Sequence, residues 1–427
     1  MTGLPEHGKM PAMSYASILA AAFVVWPVTC LAGTQGNPLL MALAALPALF
    51  LARPSWRPAP ALLVALGFLV WAIASESWSP VSRGIVSGSL AGGDFAIRSA
   101  GLRMVLTLVF GTLLIGGALR IEPGSAQLSA RIMLGAVALH GLLLIASPHL
   151  AGDVLPYFYD HDPAKYPEGW QNLDRAANAF ALVLPILASY LLARPGLAWK
   201  GVGLFLIAAS LISIALLGTS AAMIGIVLML VAFLVMWALP RTGLRWLFSG
   251  VAAYIALAPV LIGGLLHLLT RMGVTLPGSF QSRAWSWDVV IGRIREAPVK
   301  GHGIDATKSW QETYAAHPDW LAQLPDFWAY YPVVPGHPHN MALQIWAETG
   351  LIGAGLAALT VLLIGWRLPP GDRLRPDVRL AIAGLLAAAV SLFSFSYSVW
   401  NEAFWATLAL SVAGLILLSR RERSSLA

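Results

Sequence analysis

Twelve runs of mostly apolar residues divide the chain, near 12–32, 38–52, 59–75, 99–119, 126–147, 175–193, 199–217, 220–239, 246–270, 341–366, 378–397 and 400–419. A helix crossing the hydrocarbon core of a bilayer needs about 20 such residues, so each run predicts a membrane span. The second is short, with Pro38 at its start and Pro47 inside, and predicts a bent or partial span. The first is longer than a signal-peptide core of about 7–15 residues and predicts an uncleaved span. Basic residues fall on alternate sides of these runs. One side carries Lys9, Arg53 and Arg57, Arg120 and Arg131, Arg194 and Lys200, Arg241 and Arg245, Arg367, Arg373, Arg375 and Arg379, and Arg420, Arg421 and Arg423. The short intervals 33–37, 218–219 and 398–399 hold no Lys or Arg. Positive loops stay cytoplasmic, so both termini are predicted to be cytoplasmic. A missed span would invert the alternation, and it does not invert.

Three longer segments then face outward: Glu76–Arg98, Ser147–Asp174 and Arg271–His339. The third carries Trp310, Tyr314, Trp320, Phe327, Trp328, Tyr330 and Tyr331, a composition that predicts a folded loop rather than disorder. The expected organisation is nine spans over 1–270, a large outward loop over 271–340, and three spans with a tail over 341–427. Composition agrees. Charged residues are 11% of the chain against an ordinary share of about 25%, and hydrophobic residues are 58%. A water-soluble enzyme or a disordered chain is excluded, and an all-α polytopic membrane protein remains. The net charge of +7 divides by side. Sixteen basic and five acidic residues fall on the cytoplasmic side, and eleven basic and fifteen acidic residues on the outer side. The basic balance is thus an orientation signal, and no nucleic-acid partner is expected. Cys30 stands alone in an apolar run and is expected to be a packed thiol.

Two stretches carry chemistry. Pro335-Gly336-His337-Pro338-His339-Asn340 predicts a turn leading into span ten near His339. Asn340, Gln344 and Glu348 then recur every four residues on one helix face, which needs protein or a water-filled cavity beside it. An imidazole there suits proton transfer near neutral pH. A loop histidine satisfied by backbone is the competing reading. A metal pair of His337 and His339 is a third, and no third ligand completes it. The second stretch, Gln281 to Asp288, runs on to Pro298, Gly301 and Gly303. It predicts an amphipathic helix capped at Ser282, lying at the outer surface and ending near Glu296. Arg283 would stand at its start beside free backbone N–H groups, a setting that suits a diphosphate. Arg293 and Arg295 are expected to be solvated or against lipid headgroups. Arg98, Arg103, Arg175 and Arg271 also sit near the outer membrane surface, where one or two are expected to bind an anion while Asp174 competes for Arg175. His140 and His267 lie within spans and are expected to be core residues.

Pro338-His339-Asn340 followed by Leu343, Glu348, Gly350 and Gly353 resembles the signature after the large loop of the O-antigen ligase and polymerase superfamily. The Arg283–Trp287 stretch with Pro298, Gly301 and Gly303 is similar to the segment that opens that loop. The resemblance implies a GT-C-like, multi-pass protein of the bacterial inner membrane with about 12 spans and its active site in a large periplasmic loop between spans 9 and 10. The size and the single loop look most like the ligase branch. The implied activity is metal-independent, inverting transfer of a glycan from undecaprenyl diphosphate to lipid A–core oligosaccharide, with no cofactor. His339 would be the base and Arg283 would hold the diphosphate. Arg175, Arg103, Arg271, His337, Asn340 and Glu348 would contact substrate. Members often carry a Ser-Arg-Gly-like triplet at the outer start of span eight, where this chain reads Gly218-Thr219-Ser220-Ala221-Ala222. Arg175 or Arg103 is expected to replace that arginine. The rivals are a polymerase or a protein O-oligosaccharyltransferase of the same superfamily and, from another class, a transporter or flippase of polysaccharide lipid.

Overall fold

The computed structural model describes residues 14–54, 59–81, 84–89, 92–93, 95–316 and 326–421. Lys9, Arg57, Trp320 and Arg423 of the patterns above lie outside them. The described chain is helical throughout: α1 (Tyr15–Leu31), α2 (Asn37–Ala45), α3 (Ala48–Leu51), α4 (Pro60–Ser75), α5 (Ala100–Ala118), α6 (Pro123–Phe158), α7 (Tyr166–Leu192), α8 (Leu197–Leu217), α9 (Ser220–Ala238), α10 (Gly243–Arg271), α11 (Gly278–Glu296), α12 (Met341–Arg367), α13 (Pro376–Phe395) and α14 (Glu402–Arg420). A two-residue antiparallel ladder pairs β1 (Val86–Ser87) with β2 (Ala96–Ile97). Among the described residues ten helical segments are long and apolar enough to cross a membrane. Two shorter apolar segments, Tyr15–Leu31 and Asn37–Leu51, occupy the places of the first two runs. The chain is an all-α polytopic membrane protein. Pro47 separates α2 from α3, the bend expected there.

α7 is the axis of the body. Ala176 through Ser189 are buried without interruption, and α1, α6, α8, α9, α13 and α14 pack around them. Small residues set the spacing. A methyl group on Gly117 would overlap Tyr15 and Ala48, and one on Gly384 would overlap Pro185 and Met229. Cys30 is fully buried, and the Trp26 indole donates to His140 Nδ1 at 3.1 Å, so both are core residues as expected. His267 is exposed on α10, contrary to expectation.

Two segments expected to face outward differ from the expected loops. Ser147–Asp174 is a helical hairpin. α6 has 36 residues, about 54 Å at 1.5 Å per residue, far beyond a hydrocarbon core of about 30 Å. Its partner α7 already starts at Tyr166 because Gly169 lets the two helices close on Leu155 and Tyr159. α11 starts at Gly278, one turn before the expected cap. Phe280 and Gln281 donate to the Pro277 carbonyl, and Ser282 is buried within the helix with its hydroxyl on the Ser279 carbonyl. The face of Trp285, Trp287, Val290, Ile291 and Ile294 is buried against Ala258 and Ile262 of α10 and Ala342, Leu343 and Ala347 of α12. α11 is therefore an internal wedge rather than a surface-lying helix.

α12 is broken at Gly350, with φ 64° and ψ −164°. The segment 298–303 fills the break. His302 N–H donates to the Ala347 carbonyl and Gly303 N–H to the Glu348 carbonyl, each at 2.9 Å. Leu351 N–H donates to the Pro298 carbonyl at 2.9 Å and Ile352 N–H to the Val299 carbonyl at 3.3 Å. The Trp71 indole takes the Thr349 carbonyl at 2.8 Å. Backbone groups released by a helix break must find partners inside a membrane protein, and here the loop supplies them.

Candidate active site

The turn 335–339 lies between α11, α12 and the connection 396–401 that joins α13 to α14. Four hydrogen bonds fix it. The Trp287 indole donates to the Pro338 carbonyl at 2.9 Å. The Asn340 side chain caps α12 by accepting from Leu343 N–H at 3.0 Å, and donates to the Tyr254 hydroxyl at 2.9 Å. The backbone of His339 takes a left-handed φ of 50°, which turns its N–H toward His337 Nδ1 at 3.1 Å. The two rings meet edge-on with centroids 4.4 Å apart.

Those contacts assign the tautomers. His339 Nδ1 lies 3.0 Å from the Ser396 carbonyl. A carbonyl only accepts, so Nδ1 carries the proton and Nε2 keeps the lone pair. His337 has the opposite arrangement. Its Nδ1 accepts a backbone N–H, so a neutral ring carries its proton on Nε2. Burial lowers both rings below the usual histidine range, His337 to about 3. His339 is lowered by burial first and further by the Arg283 guanidinium, against a raising contribution from the Ser396 carbonyl. Both rings are thus neutral at pH 7, and His339 presents a basic Nε2.

Arg283 lies within electrostatic reach of His339. It sits inside α11 rather than at its start, so free N–H groups do not flank it as expected. One guanidinium nitrogen donates to the Ser279 carbonyl at 3.1 Å, and the group lies over Phe280 at 5.6 Å. Its Nε is buried with no hydrogen-bond partner among the described residues. Burial lowers its pKa, the mark of a cation without a carboxylate beside it.

The other outer arginines separate. Arg175 meets neutral partners, donating to Asn172 and Gln171 at 3.1 Å each. Asp174 instead accepts from Thr219 at 2.6 Å, beside the start of α9. The field of Arg175 reaches Tyr397, whose phenol burial pushes up to about 12. The neighbouring Ser396 hydroxyl accepts from Asn178 at 3.4 Å, so α7 and His339 both bond to Ser396, one through its hydroxyl and the other through its carbonyl. Arg103 is paired with Glu402 and also donates to the Ile97 carbonyl at 3.2 Å. Arg271 is exposed at the end of α10, and among the described residues no contact joins it to the turn. Arg293 pairs with Glu296 and Glu312 instead of facing solvent or lipid alone. Glu348 is fully buried, and its oxygens face four donors. Among the described residues no group of three or more His, Cys, Asp and Glu side chains is placed to hold a metal ion. Of the loop aromatics, Trp310 and Tyr314 are buried, with the Tyr314 hydroxyl donating to the Ser282 carbonyl at 3.1 Å, whereas Tyr330 and Tyr331 are exposed.

Residues 203–358 match the family model described as O-antigen ligase. This segment is similar to the O-antigen ligase family, and the match supports the O-antigen ligase superfamily. The match runs from α8 into α12 and so includes Arg283, the 298–303 insert, the histidine turn and Gly350. It supports function of the ligase or polymerase type for this multi-pass membrane protein. No curated protein matches the chain. The residues that sequence patterns did not reveal are Ser396, Tyr397, Tyr254 and Thr307. Ser396 acts through its carbonyl, which leaves no trace in a sequence, Tyr254 is a single polar residue in an apolar run, and Thr307 and Tyr397 stand among other polar residues that hide them.

Proposed function

We propose that this protein is an O-antigen ligase. It would transfer a finished glycan from undecaprenyl diphosphate to a sugar hydroxyl of lipid A–core oligosaccharide at the periplasmic face of the inner membrane, with both termini cytoplasmic. The observation that carries the reading is the neutral His339, with Nδ1–H held by the Ser396 carbonyl and basic Nε2 available, beside an Arg283 guanidinium with no carboxylate partner among the described residues. Nε2 takes the proton of the acceptor hydroxyl as its oxygen attacks the anomeric carbon. The bond to the diphosphate breaks on the opposite face, and the anomeric centre inverts. Negative charge grows on the leaving diphosphate, where a guanidinium fits by charge and by its forked donors. Arg175 is the second guanidinium in this reading. It has neutral partners and lies beside Asp174, which accepts from Thr219 in the stretch where the triplet is missing, whereas Arg103 is engaged by Glu402.

Expression in a strain lacking its own ligase tests the reading. Lipopolysaccharide should become capped with long O-chains. Elongation of the lipid-linked glycan without capping would favour the polymerase, and glycosylated protein would favour the oligosaccharyltransferase. Loss of capping on chelation would refute metal independence. With purified components, Arg283→Ala should lower turnover by about a hundred- to a thousand-fold, the loss typical of one donor to a developing anion. Arg175→Ala should act mainly on KM for the donor, and Arg103→Ala should lower thermal stability while leaving donor affinity unchanged. Equal donor affinity in Arg175→Ala and the wild type would remove Arg175 from the site.

A further inference from the structure

Two backbone segments place the His339 imidazole, one carrying the residue and one taking its Nδ1 proton, and both are tied to one carboxylate. The first is the histidine turn itself. The Thr307 hydroxyl lies 2.9 Å from the Gly336 carbonyl, immediately before His337, and 2.7 Å from Glu348 Oε1, and its one proton is shared between them. The same loop is tied a second time, since Asp305 N–H donates to Glu348 Oε2 at 2.8 Å. The second segment is 396–401, whose Ser396 carbonyl takes the His339 Nδ1 proton. Its Trp400 indole donates to Glu348 Oε2. Gln344 completes the tie. Its amide nitrogen donates to Glu348 Oε1 and to the Ser398 hydroxyl, each at 3.1 Å, while its amide oxygen accepts from Val399 N–H at 3.0 Å.

Glu348 is 0% exposed, so no substrate atom can touch it. It nevertheless sits one turn from Gln344 and two turns from Asn340, on the helix whose first residue follows the histidine turn. Resting on the base reading of His339, we propose that Glu348 is a positioning residue for this reaction. It clamps the 305–307 loop, which holds the histidine turn at the Gly336 carbonyl, and the 396–401 connection, whose Ser396 carbonyl takes the His339 Nδ1 proton. A carboxylate suits the task because it accepts from several donors at once, and a fully satisfied buried network specifies one geometry. Misplacing a reacting group by about 1 Å can cost on the order of a hundredfold in rate.

Glu348→Gln keeps the shape but turns an NH2 toward groups that are themselves donors. In the purified full-length protein it should lower kcat by about ten- to a hundred-fold with KM for donor and acceptor changed less than about threefold. Thr307→Val and Trp400→Phe remove one tie each and should lower kcat in the same sense, and Thr307→Ser, which restores the hydroxyl, should recover most of the loss. Unchanged kcat per folded molecule in Glu348→Gln overturns the inference even where Tm falls, because Glu348 would then be a structural group only. A proportionate rise in KM would also overturn it, by making Glu348 a binding residue. His339→Ala, assayed alongside, reports separately on the underlying reading. Full activity there overturns both, whereas inactive His339→Ala beside fully active Glu348→Gln overturns the clamp alone.

Discussion

His339→Ala is expected to lower kcat by about a hundred- to ten-thousand-fold while leaving folding and donor affinity intact. The range is that of a positioned general base. It applies here because Nδ1 is already committed to the Ser396 carbonyl and leaves a single basic atom on the ring. His339→Gln should not rescue, since an amide cannot take a proton at neutral pH. The pH profile follows from the same surroundings. The free base is the active form, and burial with the nearby Arg283 keeps the His339 pKa below the ordinary 6.5. Transfer should therefore be flat from neutrality down past pH 6.5 and fall only at lower pH. An acid limb centred at or above 6.5 would mean that the ring is solvated or paired with an anion during turnover, and the base assignment would lose its support. Stability has the same sign. Two histidines held neutral in the fold bind protons when unfolded, so stability falls with pH below about 6.5 by up to about 1.4 kcal/mol per pH unit for each. For His337 that loss continues toward about pH 3, its value in the folded protein.

The spans were legible because lipid demands a composition that water does not. A run of about 20 apolar residues has few other uses. The ends of the helices were less legible. α6 continues to Phe158 through Pro148 and Pro156, and its polar outer end carries no hydropathy signal. It is held by contact with α7 at Gly169, a long-range fact. α11 begins at Gly278 because Pro277 and the following turn set its start, and Ser282, a good cap by type, was a misleading local cue. The site was half legible. His339 stood out at the mouth of a polar helix face, Arg283 at an expected helix start, and Arg175 among arginines that run against the inward bias. Arg103 stood out equally, yet its partner Glu402 lies almost three hundred residues away and removes it as an anion site. The Ser396 carbonyl, which decides what His339 can do, is invisible in any pattern of side chains. Pro298, Gly301, Gly303 and Gly350 were visible as a spacing, but their common purpose appears only when the loop is seen inside the broken helix.

That common purpose leads to the second large expectation. Gly350→Ala should prevent the outer half of the protein from folding, with little or no monodisperse protein recovered in detergent. Two causes add. The conformation at φ 64° and ψ −164° is nearly confined to glycine and costs a side chain about 1–3 kcal/mol. A Cβ there would also lie 2.2 Å from the Val299 carbonyl oxygen and 2.6 Å from Gly301 N, both backbone atoms that cannot rotate away. To make room the 298–303 segment must leave the break. The Ala347 and Glu348 carbonyls and the Leu351 and Ile352 N–H groups then lose their partners in a place with little water, at about 1–3 kcal/mol each. Gly301→Ala attacks the same joint from the other side, with φ 72° and a Cβ 2.4 Å from the Glu348 carbonyl carbon, and should fail in the same way. Gly355→Ala is the internal comparison. It lies on α12 five residues beyond the break with nothing within 4 Å of its Cβ position, and should be neutral or stabilising by up to about 1 kcal/mol through helix propensity. Thermal unfolding of the three variants, followed by size-exclusion recovery, separates the cases. If Gly350→Ala melts like Gly355→Ala, the loop does not occupy the break. The geometry that brings Glu348, the histidine turn and the 396–401 connection together would then need another cause.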